Sequence, residues 1–453
     1  MDIDTVHDAP LAHPDPSEDE TDPGDQSPDY FYNPDRRAQS EAAKALIASI
    51  IKTTDRAAFD IGSRRRVQRA KDRNAYERTV EAIISDVAYR HLTDPARRIA
   101  ISRSKTTLDQ RSRYRAETYG RRVPGILDLL SHPSVGLLTQ VTGDQGPKTF
   151  SARTTGGKRT TIAAGSVLVD LLEEADLAPR DFAEDDCQEV IILRQAPKDF
   201  WDRATAVEYE DTEATVRYRA EMTEINQWLA EADLTFDPGA LMRPLRIDTR
   251  DRRLRRLFTR KSFESGGRLF GGFWQQLKEG ERLQGLRING QPVASLDYRQ
   301  MTPRLLYAQV QSTAPEGDHY ALGYLRFHRE GLKKVFNAAL FSDTSLTRLP
   351  KGTRTLLPRS CKVGDVIEVI ERYHPTLAGH LFTGIGHYLQ FLESTILVTV
   401  LLRLKAEGVT ALPIHDAVVV AVTDQERTKA VMEEVFTEVS GGRGEVKVST
   451  KSG

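Results

Sequence analysis

Ser295-Leu296-Asp297-Tyr298-Arg299-Gln300 and Pro413-Ile414-His415-Asp416-Ala417-Val418-Val419-Val420 are the two stretches on which the reading of this chain turns. Each sets one aspartate at the edge of an apolar, β-prone run. The first follows Pro292-Val293-Ala294; the second lies between Val409-Thr410-Ala411-Leu412 and Val418 to Val422. Two carboxylates presented from neighbouring strands can hold two Mg²⁺ ions about 4 Å apart, and such a pair clamps both oxygens of an in-line phosphoryl displacement. An aspartate ending a strand is also an ordinary turn residue. Either segment alone therefore decides little.

The residues around them narrow the reading. Arg329, Lys333, Asn337 and Phe341 recur every four positions, which lines them along one helical face. A cationic stripe ending in an aromatic suits a helix that grips a triphosphate and stacks on a base. Upstream, Ser265-Gly266-Gly267-Arg268-Leu269-Phe270 pairs a flexible glycine doublet with an arginine, a loop that permits close backbone approach to a ligand or nucleic acid.

In this order the segments resemble the family A DNA polymerases, the bacterial DNA polymerase I class. That family carries a TGR-type motif, DYSQIELR, RxxxKxxxFxxxYG and a VHDE-type motif. Here they read Gly266-Gly267-Arg268-Leu269, Asp297 to Arg304, the Arg329 stripe and His415-Asp416-Ala417. The resemblance covers roughly residues 200–453. It implies metal ligation by Asp297 and Asp416, and phosphate binding by Arg329 and Lys333, with Lys333 also a proton donor to the leaving group. It further implies nucleotide contacts from Tyr298, Thr302, Asn337 and Phe341, the last stacking near the templating base, and DNA contacts from Arg268, Gln390 and His415. The departures are specific. Thr302 stands where the family has a glutamate, Pro303 follows it, and Asn337 replaces an aromatic. Phe341-Ser342 replaces Tyr-Gly, and Ala417 replaces an acidic residue. Loss of the glutamate and the aromatic bears on sugar selectivity more than on catalysis.

Length and composition bound the rest. The chain of 453 residues can hold two or three domains. The hydrophobic fraction is 39%, and no uninterrupted apolar run approaches the 18 or so residues of a membrane span. The greasiest stretch, Ile396 to Leu404, reads as a buried core helix. The start of the chain lacks the pattern of a secretory signal. Only Cys187 and Cys361 occur, too few for a disulfide framework or a zinc site, which fits a reducing cytoplasm. A net charge of −1 hides an asymmetry. Residues 1–35 carry eleven Asp/Glu, six prolines and no Lys/Arg, the composition of a disordered acidic tail. Residues 36–122 carry 22 Lys/Arg against 10 Asp/Glu, which favours phosphate-backbone contact over a merely solvated surface.

The expected organisation is an acidic tail over 1–35, a basic DNA-binding region over 36–200 and a polymerase body over 201–453. Residues 38–92 read as largely helical. Residues 123–162 read as helix, strand, Gly/Lys/Thr-rich loop and strand, an order that a winged-helix module and an ordinary α+β scaffold both satisfy. Gln188 to Arg194 reads as a strand closing this region. Glu213 to Ala232 reads as a long helix, and Asp211-Thr212-Glu213 as its cap rather than an exonuclease motif. Two helices, 366–380 and 384–406, precede the second aspartate. The fold class expected is α+β: a right-hand polymerase with an antiparallel-sheet palm and helical fingers and thumb, compact as in phage- or plasmid-type members. The expected activity is Mg²⁺-dependent, DNA-directed DNA synthesis on a primer–template from nucleoside triphosphates, without a membrane. Two rivals remain: a primase-like or RNA-synthesising enzyme on the same palm, and a replication initiator with an inactive palm.

Overall fold

The computed structural model describes residues 30–64, 66–109, 112–143, 159–185, 189–196, 204–241 and 247–451. These fall into two compact units, one ending at residue 185 and one beginning at residue 189. Both mix helices with several small sheets.

The first unit is built on helices Glu41–Asp60 and Ala70–Thr93. Ser40 starts the first by accepting a hydrogen bond from the Ala43 N–H, which satisfies one of the free donors at a helix start. The second buries Ile83, Ile84, Val87 and Ala88 in the core. A four-stranded sheet packs with them in the order Tyr30–Phe31, Ile99–Ile101, Thr160–Ala164, Leu138–Val141. Tyr30 and Phe31, expected within the acidic tail, are thus paired strand residues; residues 1–29 lie outside those described. Helix Val123–Leu130 and the antiparallel pair Leu138–Val141 and Thr160–Ala164 follow the expected helix–strand–strand order. The basic loop between the strands lies outside the described residues over 144–158. Of the ten acidic residues in 36–122, eight are ion-paired, among them Asp86 with Arg36 (3.2 Å), Glu77 with Arg73 (2.8 Å) and Asp72 with Arg122 (2.7 Å). The arginine excess is larger than those pairs can consume.

The second unit centres on an antiparallel sheet. Its order is Ala411–Ile414, Ala417–Ala421, Gln291–Tyr298, Leu286–Ile288, Leu234–Phe236, with Val446–Thr450 also pairing with Gln291–Tyr298. Pro413 lies on the edge strand, where its missing N–H breaks no inner ladder. A second sheet runs Gly266–Phe270, Arg255–Phe258, Ile191–Gln195, Thr205–Ala206. The Ile191–Gln195 strand, expected to close the N-terminal region, instead pairs in parallel with Arg255–Phe258. Its run of Ile191, Ile192 and Leu193 is buried on both faces there.

Helix Ile385–Ala406 packs against the Gly266–Phe270 strand and against helices Gln425–Ser440 and Met301–Gln309. It is long and apolar enough to cross a membrane by length and composition alone. Its buried residues, among them Leu389, Ile396, Leu397, Val400 and Leu401, cover most of its circumference but leave a half-buried stripe along Phe391, Thr395 and Thr399, as expected of a helix packed into a core on most sides. The helix expected over 366–380 runs Val363–Tyr373. It stops where His374 precedes Pro375, whose ring disfavours helical backbone at the preceding residue. Thr212 caps Glu213–Glu231 by accepting from the Thr215 N–H, so the Asp211-Thr212-Glu213 triplet is a helix start.

Trp274 ties the two sheets of this unit together. It is fully buried, and its indole N–H donates to the Pro413 carbonyl at 3.0 Å. Gln275 donates to the same oxygen at 3.0 Å. Trp274→Ala should lower stability by about 3–5 kcal/mol through the cavity it leaves. Trp274→Phe should cost about 1–2 kcal/mol, because Gln275 keeps the carbonyl bonded. Denaturant midpoints of the two variants test this; equal losses would contradict the division between packing and hydrogen bonding.

Candidate functional site

Strand register brings the two aspartates together. Asp297, the penultimate residue of its strand, lies directly opposite Ala417, and Ile414 opposite Ala417 on the other side. His415 and Asp416 are therefore the two-residue tip of a tight hairpin, so Asp416 sits in a turn rather than within a strand. His415 has φ +56° and Gln300, at the start of helix Met301–Gln309, has φ +55°. Both are left-handed without being glycine, a conformation that costs on the order of 1–3 kcal/mol and gathers at functional sites. One such residue follows Asp297 by three positions; the other immediately precedes Asp416.

The electrostatics record the closeness. Asp297 reaches solvent, yet the surrounding protein strips enough hydration to push its pKa up, and the Asp416 charge adds to that effect; the carboxyl stands at about 7. Glu279 raises it further, while Lys333 and Lys447 pull it down. Lys447 faces Asp297 across the other strand pairing. Lys333 is exposed on helix Arg329–Phe341, one turn beyond Arg329.

Arg268 is anchored beside the pair. Its Nε donates to Glu393 at 2.7 Å, and the Asp416 charge also reaches it. With the Gln390 amide oriented so that its oxygen faces Arg268, that oxygen accepts at 3.1 and 3.2 Å. Burial raises the Glu393 pKa and Arg268 opposes the rise. The glycine doublet serves this anchoring. Gly267 has φ +89°, and a Cβ there would lie 2.5 Å from Ser394 Oγ on the Ile385–Ala406 helix. Buried Arg256, lowered to about 10 by desolvation, donates to the Gly267 carbonyl, Ser394 and Thr395. It holds strand and helix in contact.

The remaining expected residues divide. Arg329 donates to Asp318 at 2.6 Å and to Glu330 at 2.7 Å, with Tyr320 beneath its guanidinium. Tyr320 feels both Arg329 and Asp416. Asn337 is half-buried, and its Oδ1 has no hydrogen-bond partner among the described residues. Thr302 is half-buried in the first turn of its helix. His415 packs its ring edge-on against Phe270 at 5.9 Å.

Two of the expected nucleotide contacts are side chains that the fold engages elsewhere. Tyr298, expected to contact nucleotide, is buried with its hydroxyl donating to the Met432 carbonyl at 2.6 Å; strand alternation turns it away from the Asp297 face. Phe341, expected to stack on a base, packs edge-on against His387 at 4.9 Å and over Gly386. Sequence reasoning missed Glu279, Asp318, Gln300 and Lys447. Glu279 and Asp318 lie in no recognisable motif, Gln300 lies inside the Asp297 to Arg304 motif but was given no role of its own, and Lys447 is set beside Asp297 only by pairing of the last strand. Arg256 was equally unmarked, one arginine among several at 250–256.

The residues suit a hard divalent cation. Among the described residues there is no cluster of three or more His, Cys, Asp or Glu that could hold a metal. Two carboxylates are, however, the number with which Mg²⁺ is commonly bound when substrate phosphates and water complete its shell, and a cation would relieve the mutual repulsion recorded at Asp297.

That repulsion has a sign. The folded-state value near 7 exceeds the ordinary 3.8, so the folded chain binds an extra proton between those limits and stability falls as pH rises from about 4 to 7. Asp297→Asn is accordingly expected to raise Tm at pH 8 in metal-free buffer, with the gain vanishing near pH 4. A Tm at pH 8 equal to or below that of the unsubstituted chain would show that ionised Asp297, partly desolvated beside Asp416, costs the fold nothing.

No family model matches the chain, and no curated protein matches it. Among solved structures it is similar to the POL domain of Pol1 from M. smegmatis in complex with DNA primer–template and dNTP, at 10% identity and a TM-score of 0.30. The match covers 91% of this chain and 66% of that one, just under two thirds of its length. A likeness that slight leaves the reading to the site's own geometry.

Proposed function

We propose that the second unit catalyses template-directed nucleotidyl transfer, extending a DNA primer with deoxynucleoside triphosphates. The observation that carries this reading is the carboxylate pair: Asp297 and Asp416, 119 residues apart in sequence, meet through strand register and repel one another, with Lys333 within electrostatic reach.

In this reading Asp297 and Asp416 hold Mg²⁺. Bound there, the metal would supply the acidity that ionises a primer 3′-hydroxyl and the charge that neutralises departing pyrophosphate. Lys333 binds the β- and γ-phosphates and is placed to protonate the leaving group. Arg329 joins it by exchanging Asp318 for a phosphate oxygen. Asn337 offers its unpartnered Oδ1 to a donor on the nucleotide. Arg268, steadied by Glu393 and Gln390, contacts the DNA, as does His415 at the hairpin tip. The first unit, with its excess of arginine, grips the phosphate backbone.

RNA primer synthesis on the same site is the second reading. Thr302 is smaller than the glutamate it replaces, and Tyr298 is committed to the core. Neither supplies a block against a ribose 2′-hydroxyl.

Primer extension with Mg²⁺, run separately with dNTPs and NTPs, tests the proposal. Asp297→Ala and Asp416→Ala should each lose on the order of a thousandfold or more in rate; activity within tenfold of the unsubstituted chain would end it. Lys333→Ala should lower kcat and raise KM together, since one side chain serves binding and leaving-group stabilisation. An unchanged kcat/KM would make Lys333 a bystander.

Sugar choice is the separate quantity. Exclusion of one hydroxyl by shape is worth a few kcal/mol, so loss of the block should cost on the order of a hundredfold in selectivity. The ratio of kcat/KM for dATP and ATP measures it. A preference for dATP above about ten-thousandfold would mean that another residue bars the 2′-hydroxyl.

A further inference from the structure

We infer that the segment leading into the Arg329 helix is a stacking platform for an unpaired nucleic-acid strand. Gly323–His328 forms a 3₁₀ helix, in which residues three apart eclipse and each adds about 2 Å of rise. Tyr324 and Phe327 therefore share one face, about 6 Å apart along the axis, while Leu325 between them is buried. Tyr324 is 66% exposed and Phe327 83%. Tyr373, 50% exposed, sets its ring edge against Gly323, where a Cβ would come within 3.0 Å of it. Among the described residues of this unit, no other large aromatic side chain is so exposed.

The surroundings select the occupant. Arg326 lies 4.7 Å from the centre of the Phe327 ring. Residues 323–362 carry nine Lys/Arg against two Asp/Glu. This stretch folds back on the platform: the His328 ring hydrogen-bonds the Leu356 carbonyl at 3.0 Å, and Leu357 covers Gly331. At Tyr324 the charges of Asp365 and Glu368 are opposed by that of Arg372, while the guanidinium of Arg326 stands at the Phe327 ring. Flat rings beside cations match bases beside phosphates, and stacking on such rings is sequence-tolerant because every base has a π-face. In a duplex those faces are already stacked on one another, so the fitting partner is single-stranded. This inference deepens the polymerase reading, in which the unpaired strand would be the template ahead of the Arg329 helix, but binding itself requires no catalysis.

Fluorescence anisotropy of a labelled fifteen-nucleotide oligo(dT) and of a blunt duplex of equal length, on the full chain, tests it. The double variant Tyr324→Ala/Phe327→Ala should bind oligo(dT) about twenty-fivefold or more weakly, since each of two stacked bases contributes a factor of about five or more. Its affinity for the duplex should not change. Tyr324→Phe and Phe327→Tyr, which keep the rings, should bind as the unsubstituted chain does. Unchanged oligo(dT) affinity in the double variant, or an equal loss on oligo(dT) and duplex, would overturn the platform. So would a change in sedimentation without a change in oligo(dT) binding, which would mark the patch as a self-association surface. Loss of oligo(dT) binding in the double variant, in a chain found to have no extension activity, would uphold the platform and dismiss the catalytic reading.

Discussion

Like charges do not gather without being forced, and the force here is the ladder of backbone hydrogen bonds that fixes Gln291–Tyr298 between two antiparallel neighbours. Register on one side sets Asp297 against Ala417 and so beside Asp416. Register on the other sets it against Lys447. The two left-handed residues then make sense as terms of the same constraint. His415, immediately before Asp416, lets the chain reverse in two residues, and Gln300, three positions after Asp297, turns it from strand into helix. Gln300 is supported in that backbone by Asp318 and the His319 N–H, and Asp318 in turn holds Arg329. A single network thus runs from the end of the Asp297 strand to the start of the cationic helix.

A second assembly fixes the opposite wall. Arg256, with almost no exposure to water, bridges the Gly267 carbonyl to Ser394 and Thr395 and faces Glu221. A buried arginine is expensive unless its donors are satisfied, and here backbone, hydroxyls and carboxylate share the task. What it secures is the contact between the glycine doublet and the long helix. One residue along each element lie Arg268 and Glu393, the ion pair that faces Asp416. The buried arginine acts as the joint that sets the half-buried Arg268 beside Asp416.

Much of this was legible in the sequence where the signal was local. The four-residue spacing of Arg329, Lys333 and Asn337 is a helical face, and the structure has a helix there with Lys333 near Asp297. The runs around Asp297 and Asp416 are strands that pair. The strand at 191–195 was misassigned because a buried apolar run does not say which sheet receives it; only pairing with Arg255–Phe258 does. The resemblance implies a nucleotide contact for Tyr298, whereas alternation along the strand sends it to the face opposite Asp297. Phe341 lies on the expected stripe, but its fate depended on Gly386, whose missing side chain lets the ring settle against the long helix. Lys447 and Glu279 reach Asp297 from distant segments, and neither carries a local mark.

The strand that carries Asp297 is hydrogen-bonded along both edges, which has a consequence for how the site fails. Amides in such a strand exchange with solvent only when the whole unit opens, whereas short segments such as Gly323–His328 open on their own at far smaller free energy. The position of the Asp297 carboxylate therefore has no partially loosened state available to it on warming. Its loss should be as abrupt as the unfolding of the unit, while the Gly323–His328 segment softens degree by degree beforehand.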